Sequence, residues 1–376
     1  MLRVAIIGCG KIADQHVEAI RRVADCEIVA TCDRERLMAA QLAGRYAIPQ
    51  QFGDAAEMLR EAVPDVVHIT TPPQSHHALG SACLAAGAHV YIEKPFAITE
   101  QETRSLIAQA ERHGRRITAG HNYQFTRDMI RMRQLVASGF LGGPPTHLES
   151  YWSYDLSDAT YVGPVLGNRQ HWVRQLPGQL LHNVVSHGLA KLAEFLSDDL
   201  STVSVTAGQS PVLRTVGDPF LVDELRMLIE DARGVTASFC FSTQIKPQQN
   251  RLHLYGPKNS IIADQTTGSL IRETGAGAKS YLTYFVPPMR MARQHVKNAR
   301  QNVVDFCRQR LYQDFGMKEL VERFYESIRG RAPVPIPYRE IVLTAELMDR
   351  AFDHIRSRSS VDRGEPAALC SRSGPA

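Results

Sequence analysis

The chain has few features that would place it outside the cell or in a membrane. Its seven cysteines form no Cys-x-x-Cys pair and no spacing with histidine that suits zinc, so we expect reduced thiols, a cytoplasmic location and no metal site. It has no run of about 18 apolar residues, which argues against a membrane-spanning helix, and its first residues show no signal-peptide pattern. Lysine and arginine outnumber aspartate and glutamate by only 43 to 39, which argues against nucleic acid as a partner.

What the chain does contain is enough apolar material for more than one core, with 44% hydrophobic residues over a length of 376. The first 120 residues alternate short apolar runs with alanine-rich helical patterns. The strand-like runs are residues 3–8, 27–33, 66–71, 89–93 and 116–119. Near-continuous apolar strands separated by helices are typical of parallel βαβ units covered on both faces. The sequence therefore predicts an α/β fold, with an amino-terminal Rossmann-type doubly wound parallel sheet over residues 1–122.

The hydrophobic pattern changes from about residue 146. Apolar and polar residues then alternate in the runs 202–209, 222–229, 236–243 and 251–255, and residues 180–196 show a helical pattern. Alternation is typical of an antiparallel sheet with one covered face. We predict that residues 123–355 form an α+β carboxy-terminal domain with an open, largely antiparallel sheet. Residues 356–376 are rich in Ser, Arg, Gly and Pro and are predicted to be a disordered tail.

A glycine turn directly after the first strand points to a dinucleotide. Gly8 allows a tight turn, Gly10 lets the backbone approach a pyrophosphate, and the helix that follows favours an anion at its first amides. Asp33 ends the second strand, where a carboxylate can bond the ribose 2′-hydroxyl and repels a 2′-phosphate, so NAD is favoured. The neighbouring Arg34 keeps NADP open as an alternative. The predicted cofactor residues at this end are Gly8, Gly10, Lys11, Ile12, Asp33 and Arg34.

Later segments carry a family resemblance. Residues 70–76 and 86–95, which contain Glu93-Lys94-Pro95, together with the glycine turn and residues 120–125, resemble the glucose-fructose oxidoreductase and inositol dehydrogenase-like family, called Gfo/Idh/MocA. The glutamate-lysine-proline triplet is the most specific mark. The resemblance covers the amino-terminal domain continuously and residues 180–196 and 316–355 more loosely.

This resemblance implies a Rossmann domain that holds the dinucleotide and a second domain whose open sheet supports a homodimer or homotetramer. The substrate would lie between the two domains. The implied reaction is reversible oxidation of a secondary alcohol, often on a sugar, a cyclitol or a nucleotide sugar. The substrate and the direction of hydride transfer stay open.

Two residues are the predicted catalytic pair. Lys94 follows a strand at its carboxyl end, where ligands bind in open α/β sheets, and can stabilise the substrate oxygen as its charge changes. His187 matches the family's histidine and can take the hydroxyl proton. Asn183 lies four residues earlier, on the same helical face, where the family commonly has aspartate; an amide can orient a hydroxyl but cannot act as a base. Gln179 also departs from the family pattern, since it replaces a second glycine.

The remaining predicted site residues border the same cleft. In the family, the loop after the fourth strand borders the cofactor, and Glu93 is expected to orient Lys94 or the ribose. Further cofactor contacts are therefore predicted at Thr71, Pro72, His76, Glu93 and Lys94, and substrate contacts at Lys94, Tyr123, Asn183 and His187.

A basic segment at residues 286–312 has six lysine or arginine residues against one acid, Asp305. Apolar residues recur at helical spacing beside a basic stripe. Three interpretations are open: a helix packed on the second domain with its charges in water, weak contact with anionic lipid headgroups, or binding of a nucleotide-sugar diphosphate.

The overall prediction is an NAD(P)-dependent oxidoreductase that acts on a small polyol or sugar. Two alternatives remain open. Some relatives cleave glycosides with an internally recycled NAD, so a glycoside hydrolase is one of them. A non-catalytic dinucleotide sensor is the other, because Asn183 and Gln179 replace the usual residues.

Overall fold

The structure is a computed structural model of the chain and describes residues 1–156, 162–275, 280–308 and 315–362. Its amino-terminal sheet contains β1 (Leu2–Ile7), β2 (Cys26–Cys32), β3 (Gln50–Phe52), β4 (Val66–Ile69), β5 (His89–Ile92) and β6 (Ile117–Ala119). The strands are parallel and lie in the order β3-β2-β1-β4-β5-β6. The connecting helices are α1 (Lys11–Ile20), α2 (Arg36–Tyr46), α3 (Ala55–Ala62), α4 (His76–Ala85) and α5 (Glu100–Arg112). This order is that of a doubly wound dinucleotide-binding sheet, which confirms the predicted fold class.

The second domain begins with α6 (Arg127–Ala137) and contains a mixed sheet of seven strands. These are β7 (His147–Ser153), β8 (Leu200–Gly208), β9 (Glu224–Asp231), β10 (Thr236–Ser242), β11 (Asn250–Tyr255), β12 (Asn259–Asp264) and β13 (Ser269–Thr274). They lie in the order β13-β12-β11-β7-β10-β9-β8. All neighbouring pairs are antiparallel except β7 with β10. Buried and exposed residues alternate strictly along most of β9, as expected for a sheet with one covered face.

The remaining helices are α7 (Gln179–Val184), α8 (Ser186–Ala193), α9 (Pro211–Arg214), α10 (Val286–Cys307), α11 (Phe315–Ile328) and α12 (Tyr338–Asp362). The single helix predicted over residues 180–196 is therefore wrong in detail: it is two helices that meet at Val185, and the second ends at Ala193. Hydrogen bonds continue through the break, because Val185 donates to the carbonyl of Leu181 and accepts from the N–H of Leu189.

The last two helices connect the two cores. On α11, Met317, Leu320 and Phe324 are fully buried in the amino-terminal core, although this segment lies in the predicted second domain. Further along, Leu347 and Phe352 of α12 are buried in the core of the second domain. Helix α12 continues to Asp362, so residues 356–362 are helical rather than part of a disordered tail. Residues 363–376 of that predicted tail lie outside the described residues.

Candidate functional site

The glycine turn after β1 has the geometry that an anion needs. Gly8 has a φ of +98°, and a Cβ there would lie 2.7 Å from the backbone nitrogen of Thr71, so no other residue fits without a shift. A Cβ at Gly10 would meet nothing within 4 Å, so open space lies over the start of α1. Backbone amides at a helix start beside such space fit a pyrophosphate.

Asp33 lies directly beside this turn. Its Oδ2 accepts a hydrogen bond from the backbone N–H of Cys9 at 2.7 Å, and its Oδ1 accepts one from the N–H of Glu35 at 2.9 Å. Each carboxylate oxygen keeps a second acceptor position, which fits ribose hydroxyls. Asp33 is half-buried and Arg34 is exposed, and the contacts of Asp33 with a ribose and of Arg34 with a 2′-phosphate stay predictions.

The loop after β4 is held by a histidine rather than offering one to a ligand. His76 is fully buried, and its ring nitrogens lie 2.9 Å from the carbonyl oxygen of Pro95 and 2.8 Å from that of Thr71. The predicted cofactor contact of His76 is therefore corrected, because each of its ring nitrogens already faces a backbone carbonyl within the protein. His76 instead connects the loop of Thr71 and Pro72 to the turn that follows Lys94.

Glu93 is fixed at the end of β5 by two hydrogen bonds. Its Oε1 accepts from Nε2 of His16 at 2.9 Å, and its Oε2 accepts from the backbone N–H of Lys94 at 3.0 Å. Burial alone would raise the pKa of Glu93, but the hydrogen bond from His16 and the charges of His16 and Lys94 hold the pKa below its ordinary value. Glu93 is therefore a buried carboxylate that positions the start of the Lys94 turn.

A buried polar chain that no sequence pattern indicates continues from Glu93. Nδ1 of His16 lies 2.8 Å from Nδ1 of His68, and Nε2 of His68 lies 2.9 Å from the hydroxyl of Tyr325. The four groups come from α1, from β4, from the residue that follows β5 and from α11, so only the folded chain brings them together. The one local signal is His68 itself, a titratable residue inside a strand whose four residues are all buried.

Lys94 reaches from the Rossmann sheet to the second domain. Its Nζ donates a hydrogen bond to the backbone carbonyl of Asn183 at 3.0 Å. Burial lowers the pKa of Lys94, an effect that the Glu93 carboxylate partly offsets. The side chain borders a cavity of about 340 Å³ lined by Lys94, Tyr123, Trp152, Ser153, Tyr154, Val184, His187, Gln248 and Asn250.

His187 faces the same cavity from α8. Its ring packs against Tyr123 and Trp152, with centroids 4.7 Å and 5.2 Å away, and its Nδ1 has no hydrogen-bond partner among the described residues. Burial, followed by the positive charge of Lys94, lowers the pKa of His187 well below its ordinary value. The ring centroid of His121 lies 6.5 Å from that of His187, and burial lowers the pKa of His121 to about 4. Both imidazoles are therefore neutral at neutral pH, as a proton acceptor must be.

The structure brings Lys94, Tyr123 and His187 together around one cavity, as predicted from the sequence. Asn183 differs, because it touches Lys94 through its backbone carbonyl and its side chain does not line the cavity. The unpredicted lining residues come mainly from the end of β7 with the residue after it, and from the start of β11 with the segment before it, namely Trp152, Ser153, Tyr154, Gln248 and Asn250. The predicted strands do not include β7, so the position of the residues at its end could not be inferred.

A second lysine contacts the Trp152 ring that lines this cavity. Lys191 follows His187 by one helical turn and is fully buried, with its Nζ 5.0 Å from the centre of the Trp152 ring and 3.0 Å from Oε1 of Gln265. Burial lowers the pKa of Lys191 to about 7, although Asp128 and Asp264 act in the opposite direction. The cation–π contact fixes the aromatic wall against which His187 packs.

Comparison with known proteins agrees with the fold predicted for the first domain. Residues 2–121 match the sequence profile of the GFO_IDH_MocA group, described as an oxidoreductase family with an NAD-binding Rossmann fold. Over its amino-terminal domain, the chain is similar to the Gfo/Idh/MocA family. The resemblance carried by Gly8, Gly10 and Glu93-Lys94-Pro95 is thereby confirmed, and the family description supports the prediction of NAD as its dinucleotide.

Relatives of the family differ in how much of the chain they match. The D-glucoside 3-dehydrogenase of Escherichia coli strain K12 is 35% identical over 142 residues, which are 38% of this chain and 40% of the relative. A myo-inositol 2-dehydrogenase of Thermotoga maritima is 22% identical over 76% of this chain and 83% of its own. The WlbA dehydrogenase of Bordetella pertussis, solved with NADH and UDP-GlcNAcA, has a TM-score of 0.74 at 16% identity and covers 95% of this chain and 96% of its own. This last likeness extends the shared fold to the second domain.

Gln179 shows what the departure from the family glycine does to the chain. It has a φ of +47°, in the left-handed region that glycine adopts most readily, and its side-chain oxygen is buried without a partner among the described residues. We expect Gln179→Gly to raise the free energy of unfolding by about 0.5–1 kcal/mol, because relief of strain exceeds the added entropy of the unfolded chain. Urea denaturation measures this, with Gln175→Gly as a control expected to destabilise. A less stable Gln179→Gly protein would contradict it.

Proposed function

We propose that the protein is an NAD-dependent oxidoreductase that interconverts a secondary alcohol and a ketone on a sugar, a cyclitol or a nucleotide sugar. One observation carries the proposal: a neutral His187 and the Lys94 side chain face one cavity of about 340 Å³ beside a dinucleotide-type sheet edge. Oxidation of a carbinol requires a base that takes the hydroxyl proton and a cation that stabilises the oxygen while the hydride leaves, and both groups face this one cavity.

NAD, when bound, would accept or supply the hydride. Gly8, Gly10 and the start of α1 would hold its pyrophosphate, and Asp33 its adenosine ribose. In the oxidation direction, the neutral ring of His187 takes the hydroxyl proton, and the Lys94 ammonium stabilises the oxygen as negative charge develops. Tyr123 and Trp152 wall the cavity on one side and limit the access of water to these groups.

The cavity lining and the relatives support this class of substrate. Ser153, Gln248 and Asn250 offer hydroxyl and amide groups that suit a polyhydroxylated molecule. Two relatives are named for oxidation of a glucoside and of myo-inositol. A homodimer or homotetramer through the open sheet and a cytoplasmic location stay predictions, for which light scattering and fractionation are the tests.

Binding and turnover measured on one sample test the proposal. NADH and NADPH binding are followed by fluorescence, and the reduced-nicotinamide absorbance is then recorded with sugars, cyclitols and nucleotide sugars. Turnover on a panel member supports the oxidoreductase. Tight binding with no turnover on any alcohol or glycoside would favour the sensor, and glycoside cleavage without net cofactor reduction would favour the hydrolase.

The choice of NAD over NADP depends on Asp33. We expect Asp33→Asn to raise the ratio of kcat/KM with NADP to kcat/KM with NAD by about 10–100-fold, because the repulsion of a 2′-phosphate and a charged hydrogen bond to the ribose are both lost. Asn keeps one acceptor for the Cys9 amide, which limits damage to the turn. Steady-state kinetics with both cofactors measure the ratio, and Asp65→Asn is a control outside the site. An unchanged ratio would place the ribose elsewhere.

A further inference from the structure

Helix α10 packs on the protein through its polar side. Gln294, Asn298 and Asn302 lie one turn apart and donate hydrogen bonds of 2.9 Å to the backbone carbonyls of residues 272 and 270 in β13 and of residue 267 in the turn before it. The N–H of Arg272 in turn donates to Oε1 of Gln294 at 2.9 Å. Strand β13 is an edge of the sheet, so these side chains satisfy backbone groups that an edge strand leaves unpaired.

The consequence is that the apolar side of α10 faces outward. Met289, Val296 and Val303 recur at seven-residue intervals and are 59%, 59% and 62% exposed. Ala292 and Ala299 lie between them and are also exposed. The segment just before the helix adds exposed aromatic and aliphatic side chains at Tyr281, Leu282, Tyr284 and Phe285. A contiguous apolar stripe of this length on a water-facing helix indicates an interaction surface.

The charges beside this stripe are all of one sign. Arg293, Lys297 and Arg300 are exposed along one flank of it. The one acid of residues 280–308 is Asp305, which is buried and pairs with Arg127, so it does not offset these cations. Such a surface is complementary to an anionic one.

A groove next to α10 extends the basic surface. Its volume is about 470 Å³, and Arg131, Arg272 and Lys297 contribute to its walls. None of the described residues that line it is acidic. A phosphate-bearing headgroup fits a groove of this size and charge.

We propose that α10 and the preceding residues 281–285 dock this protein on the surface of a membrane rich in anionic phospholipid. The apolar stripe would enter the boundary between headgroups and acyl chains, and the flanking cations would face the phosphates. Tyrosine is enriched at that boundary, which suits Tyr281 and Tyr284. The contact lies along the surface: among the described parts of the chain, no helix has the length and hydrophobicity to cross a bilayer.

Two other occupants fit less well. A symmetric contact between two copies of α10 would bring Arg293 and Arg300 of both copies together without acidic partners, and like charges repel. A nucleic acid would satisfy the cations but would leave the apolar stripe in water. A lipid surface would both bury the apolar stripe and pair with the cations beside it.

Flotation of the full chain with vesicles tests the proposal. We expect binding to vesicles of phosphatidylcholine containing one-third phosphatidylglycerol, little binding to phosphatidylcholine alone, and weakening by added salt. Arg293→Gln with Arg300→Gln should weaken binding about 25-fold, at about fivefold for each cation. The matched control, Arg112→Gln with Arg214→Gln, removes two exposed cations elsewhere and should bind as the unaltered protein does.

The apolar contribution is tested separately. Val296→Ser and Val303→Ser should each weaken vesicle binding about tenfold, whereas Val212→Ser, which alters an exposed valine on α9, should not. Failure of the unaltered protein to float with the vesicles would overturn the proposal. Equal losses of binding in the control variants would also overturn it. Dissociation of an oligomer by Val303→Ser, without vesicle binding, would assign the stripe to a second copy instead. Cofactor binding and turnover are measured on the same samples, so the proposed oxidoreductase function is judged independently.

Discussion

Replacing Lys94 with methionine is expected to lower kcat about 10²–10³-fold while the dissociation constant for NADH changes by less than about threefold. Among the described residues that line the cavity beside His187, Lys94 is the one cation, so its loss would remove the group proposed to stabilise developing charge on the substrate oxygen. Methionine keeps most of the length of the apolar stem, which limits loss of packing. The hydrogen bond to the carbonyl of Asn183 is lost in the same variant.

Fluorescence titration and stopped-flow measurement of hydride transfer separate binding from chemistry. Lys318→Met is the matched control, since Lys318 pairs with Glu322 on α11 and does not line the cavity. A further variant, Lys94→Arg, keeps the charge in a larger and planar group, and we expect partial activity from it. Turnover of Lys94→Met within about threefold of the unaltered enzyme would remove Lys94 from the chemistry.

The first domain could be predicted from the sequence because its signals are local. Each strand of the parallel sheet is a short apolar run, and Gly8 follows β1 directly. Strand β3 was the exception, since Gln50–Phe52 is short and mostly exposed and so shows no apolar run. The glycine turn and Glu93-Lys94-Pro95 were equally local, and both lie at the carboxyl ends of strands, where the fold places ligands.

The parts of the site that the sequence did not predict depend on contacts between distant residues. The chain from Glu93 through His16 and His68 to Tyr325 joins residues more than 200 positions apart, and no spacing indicates it. His76 shows the opposite error. Its position in a cofactor loop indicated a contact with the cofactor, but its ring is buried and its two nitrogens face backbone carbonyl oxygens. A motif gives the location of a residue, whereas burial and partners decide what its polar atoms can do.

Replacing His187 with asparagine is expected to lower kcat/KM for alcohol oxidation about 10²–10⁴-fold and to change its pH dependence. The base must be neutral to accept a proton. Because burial and Lys94 lower the pKa of His187, the unaltered enzyme should keep full activity as the pH falls to about 6.5 and lose it only below that value. The alkaline limb has another origin: burial lowers the pKa of Lys94, so its ammonium is lost at a pH below about 10.5.

The two limbs therefore distinguish the two residues. In His187→Asn the residual activity should lose the acid limb and keep the alkaline one, whereas a merely structural defect would lower activity equally at every pH. His113→Asn, at an exposed position after α5, is the control and should leave both limbs in place. An unchanged acid limb in His187→Asn would transfer the role of base to another group, and His121 is the first to test because both of its ring nitrogens are buried without a partner among the described residues.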